Sequence, residues 1–355
     1  MTEPINLADY EALAAERLPV MVRDYYASGA LDERTLRDNL AAWRQIRLRH
    51  RVLRGVGQRS TATTLLGAPL QLPLGIAPMA FQAMAHPEGE RATARAAAEA
   101  GALMVLSTMS NHPVEAVAVP GAPLWFQLYV YRDRGLTRAL VQRAEAAGCQ
   151  ALVFTVDAPV LGTRERDRRN RFHLPEGLEM GNLIDHLRQL RPGDDDSGLA
   201  AYVHELVDPD LTWETLDWLR AHTTLPVLLK GVAHPDDARE ALDRGAAGVI
   251  VSNHGGRQLD GGVPTAELLP AVAAAVGERG VVMVDGGIRR GGDILRALAL
   301  GADAALVGRP ALWGLAVDGQ VGVTRVLDIL RRELDETMAL CGCRDLSEVT
   351  AALLG

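Results

Sequence analysis

The chain has 355 residues, 48% of them apolar, 23% charged and only 4% aromatic. This composition excludes a disordered chain, and the scarcity of aromatics asks for a core of Ala, Val, Leu and Ile, as in helices packed on parallel strands. A formal charge of −8 argues against a nucleic-acid or anionic-membrane partner.

The first ten residues carry Glu3 and Asp9 and lack the basic-then-apolar order of a secretory leader. No stretch approaches the ~20 apolar residues of a membrane span, and the final Leu353-Leu354-Gly355 is no peroxisomal address. The expected location is the cytoplasm. Cys149, Cys341 and Cys343 form neither a disulfide framework nor a zinc ligand set, so no metal is expected.

Along the chain, residues 1–70 read as an N-terminal helical extension, and residues 71–320 as a repeating unit. Four times a helical stretch ends at a glycine and a short apolar run follows: Gly101 before Leu103–Leu106, Gly148 before Leu152–Phe154, Gly245 before Val249–Val251, and Gly301 before Ala304–Val307. Such glycines suit the left-handed residue that closes a helix. Short apolar runs of this kind suit strands buried on both faces.

Leu74–Ala77, Trp125–Tyr129, Val227–Leu229 and Val281–Val284 bring the runs to eight, with predicted helices at 88–100, 134–147, 212–221, 235–244, 265–276 and 291–300. Eight alternating units predict an α/β fold closed as a (β/α)8 TIM barrel in a single domain. A doubly wound open sheet is the alternative, but no Gly-x-Gly-x-x-Gly follows the first strand. Residues 175–211 form a long insertion after the fourth strand, with the length of a lid. Residues 321–341 read as a terminal amphipathic helix.

Active sites of such barrels sit at the C-terminal ends of the strands. Those positions are Ser107, Gln127, Tyr129, Thr155, Asp157, Lys230, Ser252, His254, Asp285 and Arg309, all polar after apolar runs. Asp157 and His254 each lie nine residues after their repeat glycine, hence at equivalent heights. A carboxylate beside an imidazole steadies the cation formed when the imidazole takes a proton, which makes His254 a candidate base. Arg257 and Arg164 are candidates to grip a carboxylate with a guanidinium fork, although Arg164 stands in a basic run (Arg164, Arg166, Arg168, Arg169, Arg171) that also reads as a solvated face.

Asp285-Gly286-Gly287-Ile288-Arg289 and Gly308-Arg309 follow the seventh and eighth strands, where barrels hold a phosphate on exposed backbone amides. Together they point to a phosphate-bearing cofactor. Lys230 is open to three readings: charge stabilisation on a cofactor, a Schiff-base lysine, or a salt bridge.

The run Ser252-Asn253-His254-Gly255-Gly256-Arg257-Gln258-Leu259-Asp260 resembles the signature of the FMN-dependent 2-hydroxy acid oxidases and dehydrogenases. The resemblance extends over nearly the whole chain. It includes Asp24–Gly29, Ile76–Ala80, Ala85–Glu90, Phe126–Tyr129, Thr155–Asp157, Leu229–Gly231, Asp285–Gly287 and Val307–Pro310. It implies FMN held by Pro78, Met79, Ala80, Ser107, Gln127, Thr155, Lys230 and Ser252, and by the turns of Asp285, Gly286, Gly287, Arg289, Gly308 and Arg309.

It further implies a small 2-hydroxy acid as substrate, its carboxylate bound by Tyr25, Arg164 and Arg257, its hydroxyl by Tyr129, with His254 as base and Asp157 behind it. The implied reaction is oxidation of an (S)-2-hydroxy acid to a 2-oxo acid, with O2 returning as hydrogen peroxide, in a homotetramer. A quinone or other acceptor in place of O2 is the alternative within the family, and a non-flavin phosphate-binding barrel the alternative outside it. Where glycolate-oxidising members carry a tryptophan after the second strand, this chain has Met109. A flexible thioether admits bulkier acids, of mandelate type or with longer aliphatic chains.

Overall fold

The computed structural model describes residues 3–184 and 206–355. A hairpin of β1 (Thr63–Leu65) and β2 (Ala68–Leu70) precedes eight parallel strands: β3 (Leu74–Ile76), β4 (Leu103–Ser107), β5 (Leu124–Leu128), β6 (Leu152–Thr155), β7 (Val227–Val232), β8 (Gly248–Val251), β9 (Val281–Val284) and β10 (Ala304–Val307). β10 pairs with both β9 and β3, which closes the barrel. The four repeat glycines all adopt the left-handed backbone, with φ of 64°, 81°, 78° and 102°. An L side chain there would cost about 1 kcal/mol or more, so each glycine ends its helix where the chain must turn down into a strand.

Alternation along the strands sorts side chains into an interior and an exterior set. Leu103, Val105, Trp125, Val153, Leu228, Ile250, Met283 and Leu306 form one buried cluster inside the barrel. The intervening Met104, Leu106, Phe126, Leu152, Val249 and Val284 pack outward into the cluster that includes the surrounding helices. Continuing the interior parity upward gives Ser107, Gln127, Tyr129, Thr155, Asp157, Lys230, Ser252, His254 and Asp285. The polar residues therefore sit at the mouth because the same alternation that fills the barrel with apolar groups runs out of apolar residues there.

Two differences from the sequence expectation have physical causes. The N-terminal extension is not purely helical: after helices at Leu7–Arg17, Val20–Ala27 and Arg34–Gln45 it contains the β1–β2 hairpin. Leu65 and Leu70, each 2% exposed, belong to the interior cluster and stopper the barrel floor. The turn between them, Leu66-Gly67, has φ of 46° and 82°, the doubly left-handed pair that matches strand twist in a tight hairpin. The closing helix spans Arg309–Cys341 rather than beginning at 321, with non-helical backbone at Asp318 and Gly319. Its first stretch takes the place of the eighth barrel helix, and Pro310 in its first turn suits a helix start.

Much of the insertion expected at 175–211 lies outside the described residues. At its two edges Met180 and Leu183 are buried, and Val207 bridges to Tyr131.

Candidate active site

The strand-end residues gather around one cavity of about 600 Å³ at the barrel mouth. Of the expected site residues, Tyr25, Pro78, Met79, Ala80, Ser107, Met109, Gln127, Tyr129, Thr155, Arg164, Lys230, His254, Arg257, Asp285, Gly286, Gly287, Arg289, Gly308 and Arg309 all line it. Ser252 and Asp157 stand immediately behind the lining, each bonded to a residue that faces it.

The floor is an open ring of two hydrogen-bonded arcs, each running from strand to strand. Ser107 Oγ donates to Gln127 Oε1 (3.2 Å), and Gln127 Nε2 donates to Thr155 Oγ1 (3.0 Å). On the next strands Lys230 Nζ donates to Ser252 Oγ (2.8 Å), which donates to Asp285 Oδ1 (2.7 Å), while Asp285 Oδ2 lies 3.0 Å from Lys230. The salt-bridge reading of Lys230 therefore holds, and its partner is the very aspartate that opens the first glycine turn. Burial works against the lysine's charge, but Asp285 and Asp157 outweigh it and hold its pKa above the ordinary value.

His254 stands above this ring. Its Nδ1 is 2.9 Å from Asp157 Oδ1, and its backbone N–H donates to Ser252 Oγ (3.1 Å). Burial pushes the Asp157 carboxyl up, but the His254 and Lys230 charges prevail and hold it below the carboxylate range. The histidine itself has φ of 58°, a backbone that non-glycine residues adopt at a cost. Close packing fixes Asp157 in turn: a Cβ on Gly231 would come 2.5 Å from the Asp157 Cβ.

A third group is cationic. Arg257 Nη1 donates to the carbonyls of Tyr25 (2.6 Å) and Ser28 (2.9 Å), at the C-terminal end of the Val20–Ala27 helix, and its guanidinium lies over the Tyr25 ring. Burial, and after it the like charge of Arg164, push the Arg257 pKa down to about 10. Arg164 is not on a solvated face: its side chain is 11% exposed, with Asp167 at 4.0 Å. Its Nε is buried without a hydrogen-bond partner.

Arg309 spends all three of its nitrogens on the carbonyls of Tyr26, Gly255 and Ser28. Burial first, then Arg257 and Arg289, force its pKa well down; burial likewise depresses Arg289.

These features test whether the site suits a flavin phosphate. Arg289 and Arg309 line the cavity beside the two glycine turns, and neither makes an ion pair among the described residues. The backbone N–H groups of Gly286 and Gly287 bond to no protein acceptor among the described residues. Trp43 Nε1 meanwhile anchors the Gly286 carbonyl at 2.7 Å. Two half-buried cations and free amides suit an anion with several oxygens, which a phosphate monoester provides.

The family model described as FMN-dependent dehydrogenase matches residues 14–355. The chain belongs to the FMN-dependent dehydrogenase family. FMN is thus its cofactor, and the cations and free amides at the glycine turns suit its phosphate. An L-lactate oxidase of Nostoc sp. is 53% identical, over 100% of this chain and 99% of its own length. Glycolate oxidase 3 of Oryza sativa subsp. indica is 50% identical over 97% and 94%. Among solved structures, mandelate oxidase with (S)-4-hydroxymandelic acid superposes with a TM-score of 0.93 at 44% identity, covering 99% of this chain and 98% of that one.

The cavity also contains residues that strand alternation does not reach. Phe172 stacks on Tyr25 at 4.1 Å between centroids, and Leu161, Asp167, Arg168 and Arg171 also line the space. All come from the segment after β6, whose high charge disguises it as surface. Glu90, in the motif Ala85–Glu90, is fully buried: its carboxylate accepts from the backbone N–H of Gln82 and Asn111 (3.0 Å each) and lies 2.9 Å from His112 Nδ1. It thereby ties the loop carrying Met79 and Ala80 to the loop carrying Met109.

Proposed function

We propose that this chain oxidises an (S)-2-hydroxy acid to the 2-oxo acid, with His254 as the base. FMN, when bound, would supply the two-electron sink for the acid, with O2 as the final acceptor and hydrogen peroxide as its product. Pro78, Met79, Ala80, Ser107, Gln127, Thr155 and the Lys230–Ser252–Asp285 trio would hold the flavin ring, and the glycine turns with Arg289 and Arg309 its phosphate.

The observation that carries the reading is the His254–Asp157 contact of 2.9 Å in a cavity that also holds Arg257 and Arg164. With its Nδ1–H donated to Asp157, the imidazole presents a lone pair on Nε2 and can take a proton from the substrate. The Arg257 and Arg164 guanidinia, helped by the Tyr25 hydroxyl, hold the acid's carboxylate in a geometry that a point charge cannot copy. Burial keeps the Tyr129 phenol protonated far above neutral pH, so it donates to the substrate hydroxyl rather than ionising. Asp157 steadies the imidazolium once the proton has moved.

Oxidases that act on lactate, glycolate and mandelate among the relatives support an O2-linked reaction. Met109, Leu161 and Phe172 in the lining support a substrate with a larger side chain than glycolate. Among the described residues no helix is long and apolar enough to cross a membrane. A cytoplasmic location and a homotetrameric assembly are separate parts of the proposal.

Anaerobic stopped-flow mixing with glycolate, L-lactate, (S)-mandelate and 2-hydroxyoctanoate tests the reading through bleaching of the flavin. Admission of air should then restore the colour with one peroxide per acid. A protein bleached by none of the four overturns the proposal, and one reoxidised by a quinone dye but not by air overturns its oxidase half.

A further inference from the structure

The five arginines of the segment Arg164–Arg171 have different fates. Arg166 is bonded to Glu33, Arg169 to Glu165, and Arg164 faces Asp167. Arg168 and Arg171 are exposed, and neither has an acid within ion-pair distance among the described residues, yet both line the catalytic cavity. Unpaired cations are common on protein surfaces. They are less expected in pairs at the mouth of a cavity, on a chain whose net charge of −8 repels anionic substrates.

Position adds to charge. Arg164 caps the short helix Glu165–Arg169, and Arg168 follows it by four residues. Arg164 is a proposed holder of the reacting carboxylate, and Arg168 lines the same cavity. Arg171 follows Arg168 closely, its N–H bonded to the Arg168 carbonyl at 3.2 Å.

We propose that Arg168 and Arg171 form an outer anion subsite, which recognises a second carboxylate at the far end of the substrate. The substrate class is then a 2-hydroxy dicarboxylic acid of about four or five carbons, oxidised at its hydroxyl carbon by the same reaction. This rests on the oxidase reading above. A monocarboxylic acid gains only the long-range attraction of the pair, which salt screens over about 10 Å. A diacid gains that attraction and a direct contact.

The test compares two acids of equal chain length, (S)-2-hydroxyglutarate and (S)-2-hydroxypentanoate, by the second-order rate constant of anaerobic flavin reduction at low and high salt. The wild-type holoenzyme, Arg168→Ala/Arg171→Ala and the control Arg169→Ala are measured. The double variant should lose about five- to tenfold for the diacid and at most about twofold for the monoacid, since exposed ion pairs are individually weak. The difference should shrink at high salt, and Arg169→Ala should move neither acid by more than about twofold.

Equal losses for both acids, or an Arg169→Ala effect as large as the double variant's, would reduce the pair to general surface charge and overturn the subsite. A wild type bleached by the monoacid and not by the diacid also overturns it, and leaves the oxidase reading intact. Bleaching by no 2-hydroxy acid removes the oxidase reading, and the subsite with it.

Discussion

Lys230, buried, and Arg257, half-buried, are cations lining the same cavity, and the protein treats them in opposite ways. Lys230 has Asp285 at 3.0 Å and Ser252 at 2.8 Å, and its pKa is raised. Arg257 has backbone carbonyls and a second guanidinium for company, and its pKa falls to about 10. A buried charge without a counter-charge is costly, and a site tolerates it where a ligand brings the missing charge. The paired groups (Lys230–Asp285 and His254–Asp157) are thus preorganised before substrate arrives. The ones without an ion pair among the described residues (Arg257, Arg289 and Arg309) complete themselves with bound anions. The two classes should fail differently when mutated: loss of a paired group should show in rates or stability, and loss of an unpaired one in affinity.

The largest effect belongs to His254→Ala. Removal of a positioned base should slow flavin reduction by about 10³–10⁴-fold, with FMN still bound, as stopped-flow absorbance and the visible spectrum of the desalted protein will show. A variant that still bleaches at the wild-type rate would take the base out of the paired class. Asp157→Asn should cost about 10²-fold in the same rate with a smaller change in substrate affinity. The amide keeps the shape but no longer favours the imidazolium. A change confined to KM would show that Asp157 serves binding instead.

Arg257→Lys should do the reverse. A point charge replaces a fork, and KM should rise about 30-fold with a lesser change in the saturated rate. The wild type offers a companion test by pH. Arg257 is charged below its pKa and neutral above it, so substrate capture should weaken as pH rises through about 10. The logarithm of kcat/KM should bend downward there, and Arg257→Lys should move the bend. A flat profile to pH 11 would contradict an arginine left without an acid.

Much of this division is legible in the sequence, for a physical reason. Strand alternation is strict, so once Leu103 and Val105 are inside, Ser107 must follow; the same parity delivers Thr155, Asp157, Lys230, Ser252 and His254. Partners across strands are also implied, because equivalent heights make Asp157 and His254 neighbours. What alternation cannot show is which cations lack acids. Arg164 belongs to a run that looks solvated, and only the fold of that run over the cavity buries it. Arg309, expected at a phosphate, also clamps the Tyr26 and Ser28 carbonyls, contacts almost three hundred positions away that no local pattern encodes. The β1–β2 hairpin did leave a signal in Leu66-Gly67, a two-residue turn between short apolar runs, but three-residue strands carry too little periodicity to outweigh a helical reading.

The smallest expected effect probes the paired side from within. Ser252 Oγ accepts from Lys230 Nζ and from the His254 N–H, and donates to Asp285. Ser252→Ala deletes that node but leaves the direct Lys230–Asp285 ion pair of 3.0 Å in place. Had the serine been the lysine's sole partner, its loss would strand a buried charge and cost several kcal/mol. With Asp285 still there, the loss should be about 1–2 kcal/mol, the worth of hydrogen bonds to charged groups less what the survivors recover. Thermal unfolding of the holoprotein should therefore move down by only a few degrees, while KM for the acid stays within about twofold because Arg257 and Arg164 are untouched. A collapse in stability would mean that the aspartate does not neutralise Lys230. A large rise in KM would mean that the two sides of the cavity are not separable in the way their charges suggest.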